Sequence, residues 1–402
     1  MVYKYIIPWL ILVLTATSAA TVAGNVPAII VFGDSSVDAG NNNQILTIAR
    51  ANFPPYGRDF PGGTATGRFS NGKIPPDFIS EAFGLNPIVP AYLDPMYNIS
   101  DFAVGVSFAS AGTGYDTATS NVLKTIPLWK EMEYYKEYQK RLRDYLGDDK
   151  ANYIISEALY LISMGTNDFL ENYYLLPITQ ARYSVDQYQD VLIGMAENFL
   201  RELHELGARK ISLGGIPPMG CLPLQRSTNL MTGKGDTCVE EYNVVSVSFN
   251  AKLNGLVQKL NKELPGAQLV YSNVYDLFWE YIHNPSPYGF EDGGRACCAT
   301  GMYEMSYLCN KMNPLTCKDA SKFLFWDAFH PSEQTSRIIS EHVVKNELHQ
   351  FRAEDGTGAG GSSHLGGGSS DLGGASAPRG FSPSLILYIY FPIIYIYIFG
   401  NM

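Results

Sequence analysis

A chain of 402 residues is long enough to bury the core of one large domain or of two ordinary ones. Its formal net charge of -10, with 29 Lys and Arg against 39 Asp and Glu, argues against nucleic acid or another polyanion as a partner. Phosphate binding relies on clustered basic residues, and the sequence has no such cluster. We therefore expect a neutral or uncharged substrate.

Residues 1–23 have the pattern of a secretory signal peptide. Lys4 precedes an apolar run from Tyr5 to Leu14, and small residues follow up to Ala23. A transmembrane anchor is the alternative, but the run is shorter than the ~20 apolar residues that a membrane span needs. We therefore exclude residues 1–23 from the fold and expect a secreted, extracellular protein.

Residues 28–43, AIIVFGDSSVDAGNNN, predict a buried strand that ends in polar groups. The apolar run stops at Gly33 and is followed by Asp34, Ser35 and Ser36. Catalytic groups of parallel α/β sheets lie just beyond such strand ends. Gly-Asp-Ser is also good turn chemistry, so this segment taken alone favours an ordinary strand-to-loop turn.

The sequence from residue 52 to residue 119 is rich in Gly, Pro and Asn, with FPGGTATGRFSNGKIPPDF at its centre. This composition predicts a long ordered loop that shapes access to a neighbouring site. Its glycines lack the spacing of a phosphate-binding loop. Asn98-Ile99-Ser100 is the only N-glycosylation sequon in the chain, so Asn98 is the predicted glycan acceptor.

Small residues from Ala109 to Gly114 follow within the segment GVSFASAGTGYD. Nothing bulky obstructs the backbone here, so N–H groups in such a turn can point at a developing anion. A tight packing corner explains the same residues equally well.

Apolar runs downstream alternate with helical patterns. Three further buried strands are predicted, beginning at Ala158, Lys210 and Gln268. Apolar residues at helical spacing lie around these runs, and the predicted helix ends are Gly147, Gly207 and Pro265-Gly266. The alternation predicts a parallel sheet covered by helices on both faces. The strand that begins at Ala158 is followed by GTND, so we expect Asn167 to lie near the end of the first strand, where Ser35 is.

Asp327 and His330 lie three residues apart in a short turn. Pro331 suits the first position of the helix that follows. A histidine at a helix start is more often a packed core residue than a functional one. Of the six histidines, however, only His330 has a carboxylate placed in this way before a helix.

Six cysteines fit the oxidising compartment that a signal peptide implies. They are Cys221, Cys238, Cys297, Cys298, Cys309 and Cys317. Because adjacent cysteines rarely bond each other, we predict a bridge between Cys221 and Cys238 and two bridges among the remaining four. A zinc site is the alternative, but no paired C-x-x-C or added histidine cluster supports it.

The composition changes at residue 352 and again at residue 385. Residues 352–384 are rich in Gly and Ser and predict a flexible, disordered segment. Residues 385–402, LILYIYFPIIYIYIFGNM, form an apolar tail that resembles a GPI-attachment signal, yet it is short for a membrane span and is broken by Pro392. Repeated Tyr-Ile pairs are also what translated AT-rich noncoding DNA gives. We therefore favour a wrong gene model for the tail.

The polar groups together supply every role in acyl transfer. Ser35 would be the nucleophile, His330 its base, and Asp327 the carboxylate that fixes the imidazole tautomer. The tetrahedral intermediate also needs N–H donors that already point at its oxyanion. The candidates are the Ser35 amide, an amide near Ala111 or Gly112, and the Asn167 side chain.

The blocks GDSSVDAGNN, FASAGTG, GTND and DAFH occur in this order and resemble the four blocks of the plant GDSL esterase/lipase family, within the SGNH hydrolase superfamily. The resemblance spans residues 26–351 as one hydrolase domain. It implies an α/β fold, a flavodoxin-like three-layer sandwich around a central parallel sheet. It also implies ester hydrolysis by Ser35, Asp327 and His330, with Asn167 and a block-two glycine in the oxyanion hole.

Three positions depart from the family pattern. Ser36 stands where the family name has Leu, although the spacing from Gly33 still favours Ser35 as nucleophile. Ser107 replaces the usual Asn, and Ala111 occupies a place that is often Gly. Because an alanine amide donates as well as a glycine amide, only the choice of donor is affected. We assign the backbone oxyanion donor to Gly112, with Ala111 as the alternative.

We expect a small-molecule, lipid or acylated-polymer ester as substrate, no cofactor, no metal, and no stable membrane span in the mature domain. The expected location is the cell wall or apoplast. Two other functions stay open at this point. One is a catalytically idle wall- or carbohydrate-binding glycoprotein, and the other is an acyltransferase that uses the same triad.

Overall fold

The computed structural model describes residues 26–352. The predicted signal peptide, the apolar tail and all of the Gly/Ser-rich segment except Arg352 lie outside this range and stay predictions. Within it, no helix combines the length and the apolar character needed to cross a membrane.

Five parallel strands form the central sheet in the order β2-β1-β3-β4-β5. They are β1 (Ile29–Gly33), β2 (Gly105–Ser107), β3 (Leu159–Ser163), β4 (Lys210–Gly214) and β5 (Gln268–Ser272). This order is flavodoxin-like, which confirms the predicted α/β fold with a central parallel sheet. The sequence predicts four of these strands but not β2, because an edge strand of three residues is too short to show an apolar run.

Helices cover the sheet on both faces. Those of the described region are α1 (Pro75–Ala82), α2 (Ile99–Phe102), α3 (Thr117–Leu123), α4 (Leu128–Leu146), α5 (Asp148–Glu157), α6 (Pro177–Arg182), α7 (Val185–Glu205), α8 (Pro223–Met231), α9 (Glu240–Glu263), α10 (Val274–His283) and α11 (Glu333–Asn346). Helix α1 packs against α11, helix α7 packs against α9, and both α1 and α4 contact β1.

The last helix begins later than expected. Glu333, not Pro331, is its first residue, because the Ser332 hydroxyl caps the helix by accepting a hydrogen bond from Thr335 N–H at 3.3 Å. Pro331 therefore belongs to the turn that carries His330.

A second, smaller parallel sheet pairs β6 (Asp292–Ala296) with β7 (Phe323–Phe325). The disulfides are Cys221–Cys238, Cys297–Cys317 and Cys298–Cys309, so the predicted pairing is confirmed and none of these thiols remains free for zinc. Cys297 N–H donates to Phe325 O at 2.9 Å, and Cys298 N–H donates to Trp326 O at 2.8 Å. The adjacent cysteines thus hold the segment that leads into Asp327.

Candidate active site

Ser35 lies directly beyond the carboxyl end of β1, in a turn that is fixed from both sides. Gly33 N–H donates to the buried carboxylate of Glu131 at 3.1 Å, and Asp34 N–H donates to Ser163 O at 3.0 Å. Gly33 has a φ of 146°, and a Cβ there would lie 2.1 Å from Ser163 O. Only glycine fits this position, so the strand must turn sharply where the nucleophile candidate begins.

The two adjacent serines have different partners. The Ser36 hydroxyl donates to Asp34 Oδ1 at 2.7 Å and lies 2.9 Å from the Ser163 hydroxyl. The Ser35 hydroxyl instead lies 2.8 Å from His330 Nε2. Of the two serines, Ser35 is therefore the one in contact with the imidazole of His330.

Asp327 and His330 occupy the turn between β7 and α11. Nδ1 of His330 lies 2.8 and 2.9 Å from the two carboxylate oxygens of Asp327. Asp327 Oδ1 also accepts from the backbone N–H groups of Phe329 at 2.9 Å and of His330 at 2.8 Å. Because Nδ1 faces a carboxylate, it carries the ring proton, and Nε2 is left to accept the proton of the Ser35 hydroxyl.

Tyr56 extends this arrangement in a way that the sequence analysis missed. Its hydroxyl donates to Asp327 Oδ2 at 2.6 Å and accepts from Ser306 N–H at 2.8 Å. Complete burial raises the pKa of Tyr56 well above its usual value, so the phenol remains a donor at any ordinary pH. No local pattern marks this residue, since it lies 271 positions from Asp327 in the chain.

The predicted oxyanion donors face the same cavity as the Ser35 hydroxyl. Asn167 Nδ2 donates one hydrogen to Thr113 O at 3.0 Å, which orients the amide and leaves its second hydrogen. The Ala111 N–H is already engaged, because it donates to the buried Asp38 carboxylate at 3.0 Å. The N–H groups of Ser35 and Gly112 have no acceptor among residues 26–352. The hydrogen bonding therefore favours Gly112 over Ala111.

The asparagines of the first block tie it to the second. Asn41 Nδ2 donates to the carbonyl oxygens of Ser107 and Ala109 at 2.9 and 2.8 Å. Asn42 Nδ2 donates to Ala111 O at 3.0 Å, and its Oδ1 accepts from the Ser110 hydroxyl at 2.5 Å. These bonds fix the small-residue turn against the Ser35 turn, which is the packing that an oxyanion hole requires.

Two buried carboxyl groups follow Asn167 in a short π-helix, Asp168–Tyr173. Asp168 accepts from the N–H groups of Tyr115 and Asp116 and from the Thr119 hydroxyl, and burial raises its pKa to about 7. Oε2 of Glu171 is buried and has no hydrogen-bond partner among the residues that the structure describes, and burial raises the pKa of this carboxyl group to about 8. The sequence analysis missed Glu171, because an acid in a helical segment is usually solvated.

Two cavities meet at Ser35, Phe329 and His330. The larger cavity has a volume of about 420 Å³ and also contains Gly112, Asn167 and Glu171. The rest of its wall is mostly apolar and includes Ile48, Phe69, Leu123, Leu175, Met231 and Leu308. The smaller cavity, of about 150 Å³, lies under α1 and α11 and is lined by Pro75, Ile79, Leu161, Phe278, Ile339 and Val343.

The long Gly/Pro-rich loop supplies one wall of the larger cavity through Phe69, whose ring lies 4.8 Å from that of His330. The neighbouring Arg68 forms a buried ion pair with Asp77 at 2.8 Å, which anchors the loop to α1. The segment therefore helps to shape the cavity, as predicted, but it is not all loop, because α1, α2, β2 and the first residues of α3 lie between residues 52 and 119.

The structure brings five of the six predicted site residues together: Ser35, Gly112, Asn167, Asp327 and His330. The sixth, Asn98, is exposed at the start of α2 and lines neither cavity. Its Oδ1 accepts from the N–H and hydroxyl groups of Ser100 at 2.9 and 2.6 Å. It is accessible for the glycan that its sequon predicts.

The chain is similar to known proteins over most of its length. Residues 29–343 match the family model described as GDSL-like Lipase/Acylhydrolase. Two Arabidopsis thaliana proteins named GDSL esterase/lipase are 63% identical over 326 residues and 59% identical over 342 residues. These alignments cover 81% and 85% of this chain and 92% and 97% of the relatives. A third, also from Arabidopsis thaliana, is 57% identical over 87% of this chain and 100% of its own length.

Proposed function

This chain belongs to the GDSL-like lipase/acylhydrolase family and is a hydrolase of carboxylic esters, and we propose that it works through an acyl-enzyme on Ser35. The observation that carries the proposal is the 2.8 Å contact between the Ser35 hydroxyl and His330 Nε2, beside N–H groups with no acceptor in the described chain. This arrangement places a nucleophile, its base and oxyanion donors around one cavity, which supports the proposal.

In the first half of the reaction, Ser35 Oγ attacks the ester carbonyl carbon while His330 Nε2 takes the hydroxyl proton. Asp327 stabilises the imidazolium that forms. The carbonyl oxygen becomes an oxyanion, and the N–H groups of Ser35, Gly112 and Asn167 donate to it. His330 then gives the proton to the alkoxide oxygen as the ester C–O bond breaks, so the alcohol leaves and the acyl group stays on Ser35.

In the second half, water replaces the alcohol. His330 Nε2 removes a proton from the water, whose oxygen attacks the acyl carbon and passes through a second oxyanion in the same hole. Return of the proton to Ser35 Oγ releases the carboxylic acid. An acyltransferase differs only here, because a second alcohol takes the place of water.

We also propose that the protein is secreted to the cell wall or apoplast and carries a glycan on Asn98. The three disulfides support an oxidising compartment, and the leader pattern of residues 1–23 supports export. The exposure of Asn98 supports modification at that side chain.

The test is hydrolysis of p-nitrophenyl acyl esters by the purified protein and by two matched variants. Ser35→Ala should lower turnover by about a millionfold, since it removes the nucleophile of a working triad. Ser36→Ala removes the neighbouring hydroxyl, which faces Asp34 and Ser163, and should retain turnover within about tenfold. Equal activity of Ser35→Ala and the unmodified protein would refute the acyl-enzyme.

Failure of the unmodified protein to hydrolyse any ester would instead favour the idle wall- or carbohydrate-binding glycoprotein. A competing alcohol added to the same assay separates the acyltransferase, because transfer gives a new ester in place of the free acid. Mass spectrometry of the rapidly quenched enzyme should locate the acyl group on the peptide that contains Ser35.

A further inference from the structure

Glu171 is the one described carboxyl group in the wall of the larger cavity, and it has no role in the reaction above. Only 8% of the residue is exposed. Oε2 is fully buried and has no hydrogen-bond partner within residues 26–352. The same cavity contains the Ser35 hydroxyl and the oxyanion donors Gly112 and Asn167.

Two other buried carboxyl groups, Asp38 and Asp168, contrast with Glu171. Asp38 accepts from three backbone N–H groups, and Asp168 accepts from two N–H groups and one hydroxyl. Buried polar groups in folded proteins nearly always have partners, so an orphan needs an explanation. Glu171 lines the larger cavity, so a substrate bound there can bring a hydrogen-bond partner for its carboxyl group.

The protonation state of Glu171 indicates which chemical group can be its hydrogen-bond partner. Burial, together with the nearby carboxyl groups of Asp34 and Asp168, raises the pKa of Glu171 to about 8, so at neutral pH the group is a carboxylic acid. A neutral acid both donates and accepts a hydrogen bond, as a hydroxyl group does. It also adds no negative charge beside an oxyanion. A hydroxyl is therefore its matched partner.

The oxyanion donors indicate which part of the ester carries this hydroxyl. They hold the carbonyl oxygen, which belongs to the acyl group, and Gly112 and Asn167 line the larger cavity but not the smaller one. The larger cavity, with about 420 Å³ against about 150 Å³, also has more room for an aliphatic chain beside these donors, so we place the acyl chain there, where Glu171 lies. The apolar wall there suits an aliphatic chain, and Glu171 supplies the polar contact.

We propose that Glu171 recognises a hydroxyl group on the acyl chain, so that the preferred substrates are esters of hydroxylated aliphatic acids. The proposal rests on the proposed function, because the position of the hydroxyl is defined by an ester bound at Ser35. Glu171 is thus a specificity-determining residue.

The experiment compares kcat/KM for one aliphatic acyl ester with kcat/KM for the same ester carrying a hydroxyl at graded positions along the chain. At the position that meets Glu171, the hydroxylated ester should be preferred over its parent by about 10- to 100-fold. Glu171→Gln keeps a donor and an acceptor and should retain the preference within a few-fold. Glu171→Met fills similar volume without hydrogen bonding and should lower the preference to about one.

The readout is a ratio within each variant, so a change in general activity does not affect it, and thermal unfolding verifies that each variant is folded. A ratio near one at every position in the unmodified protein would overturn the proposal, and so would a ratio retained in Glu171→Met. If an ester with an amine on its acyl chain were preferred over the hydroxylated ester, Glu171 would bind its substrate as a carboxylate in an ion pair, and the proposal would be overturned. Hydrolysis of the parent ester, absent in Ser35→Ala, tests the proposed function separately.

Discussion

The two regions that meet at the Ser35 hydroxyl are built in opposite ways. On one side, Ser35, His330, Asp327 and Tyr56 form a chain of hydrogen bonds between 2.6 and 2.9 Å, which we call the triad chain. On the other side, the larger cavity is mostly apolar, and its buried acid, Glu171, has no partner in the described chain. The groups that perform the chemistry are thus positioned before substrate arrives, whereas the group proposed to select the substrate is satisfied only by the substrate.

Asn167 stands at the boundary between the two regions, and its removal should have a larger effect than a change at Tyr56 or at Glu171. Asn167→Ala should lower kcat by about 100- to 1000-fold, since one oxyanion donor is lost. KM for a p-nitrophenyl ester should change little, because the contact strengthens only when charge develops on the oxygen.

Asn167→Asp is the matched control for size. It loses the donor and introduces a negative charge beside the oxyanion, so its kcat should be at least as low as that of Asn167→Ala. An Asp variant that is more active than the Ala variant would show that the side chain acts in some other way. Steady-state kinetics on one ester are sufficient for the comparison.

The same contrast explains how far the sequence could predict the site. Ser35, Asn167 and the Asp327–His330 pair follow buried strands or lie in one short turn, so local patterns identify them. Tyr56 reaches Asp327 only through long-range folding, and no spacing rule connects them. The choice of Gly112 over Ala111 depends on the Asp38 carboxylate, which occupies the Ala111 amide. Local structure is therefore predictable in this protein, whereas contacts made by loops are not.

Tyr56 tests whether the triad chain has a fourth working member. Tyr56→Phe removes the donor to Asp327 Oδ2 and should lower kcat/KM by about tenfold, which is the value of one ordinary hydrogen bond. The acid limb of the pH–rate profile should also move to higher pH. With one donor fewer, the negative charge of Asp327 is less dispersed and holds the His330 imidazolium more strongly.

Tyr138→Phe is the control, because its buried hydroxyl donates to Phe102 O at 3.3 Å and lines neither cavity. Both variants lose a buried hydrogen bond and should lower thermal stability. Only Tyr56→Phe should shift the acid limb. An unshifted profile in Tyr56→Phe would indicate that Tyr56 stabilises the fold without positioning Asp327.

Glu171 gives an effect of a different kind, which concerns stability and not turnover. Its pKa is raised to about 8 in the folded protein and is close to the ordinary 4.5 in the unfolded chain. The folded state therefore binds the proton more tightly. This contribution to stability is fully present below about pH 4.5 and is lost as pH rises through about 8.

Glu171→Gln has no titrating group at this position, so the free energy of unfolding should fall less between pH 5 and pH 8 than in the unmodified protein, by about 2 to 4 kcal/mol. Asp34 and Asp168 are present in both proteins, so the difference measures Glu171 together with its electrostatic coupling to these two carboxyl groups. Thermal or urea unfolding at a series of pH values measures it. Parallel curves would mean that Glu171 is ionised in the folded state, and its neutral hydrogen bond to a substrate hydroxyl would then lose its basis.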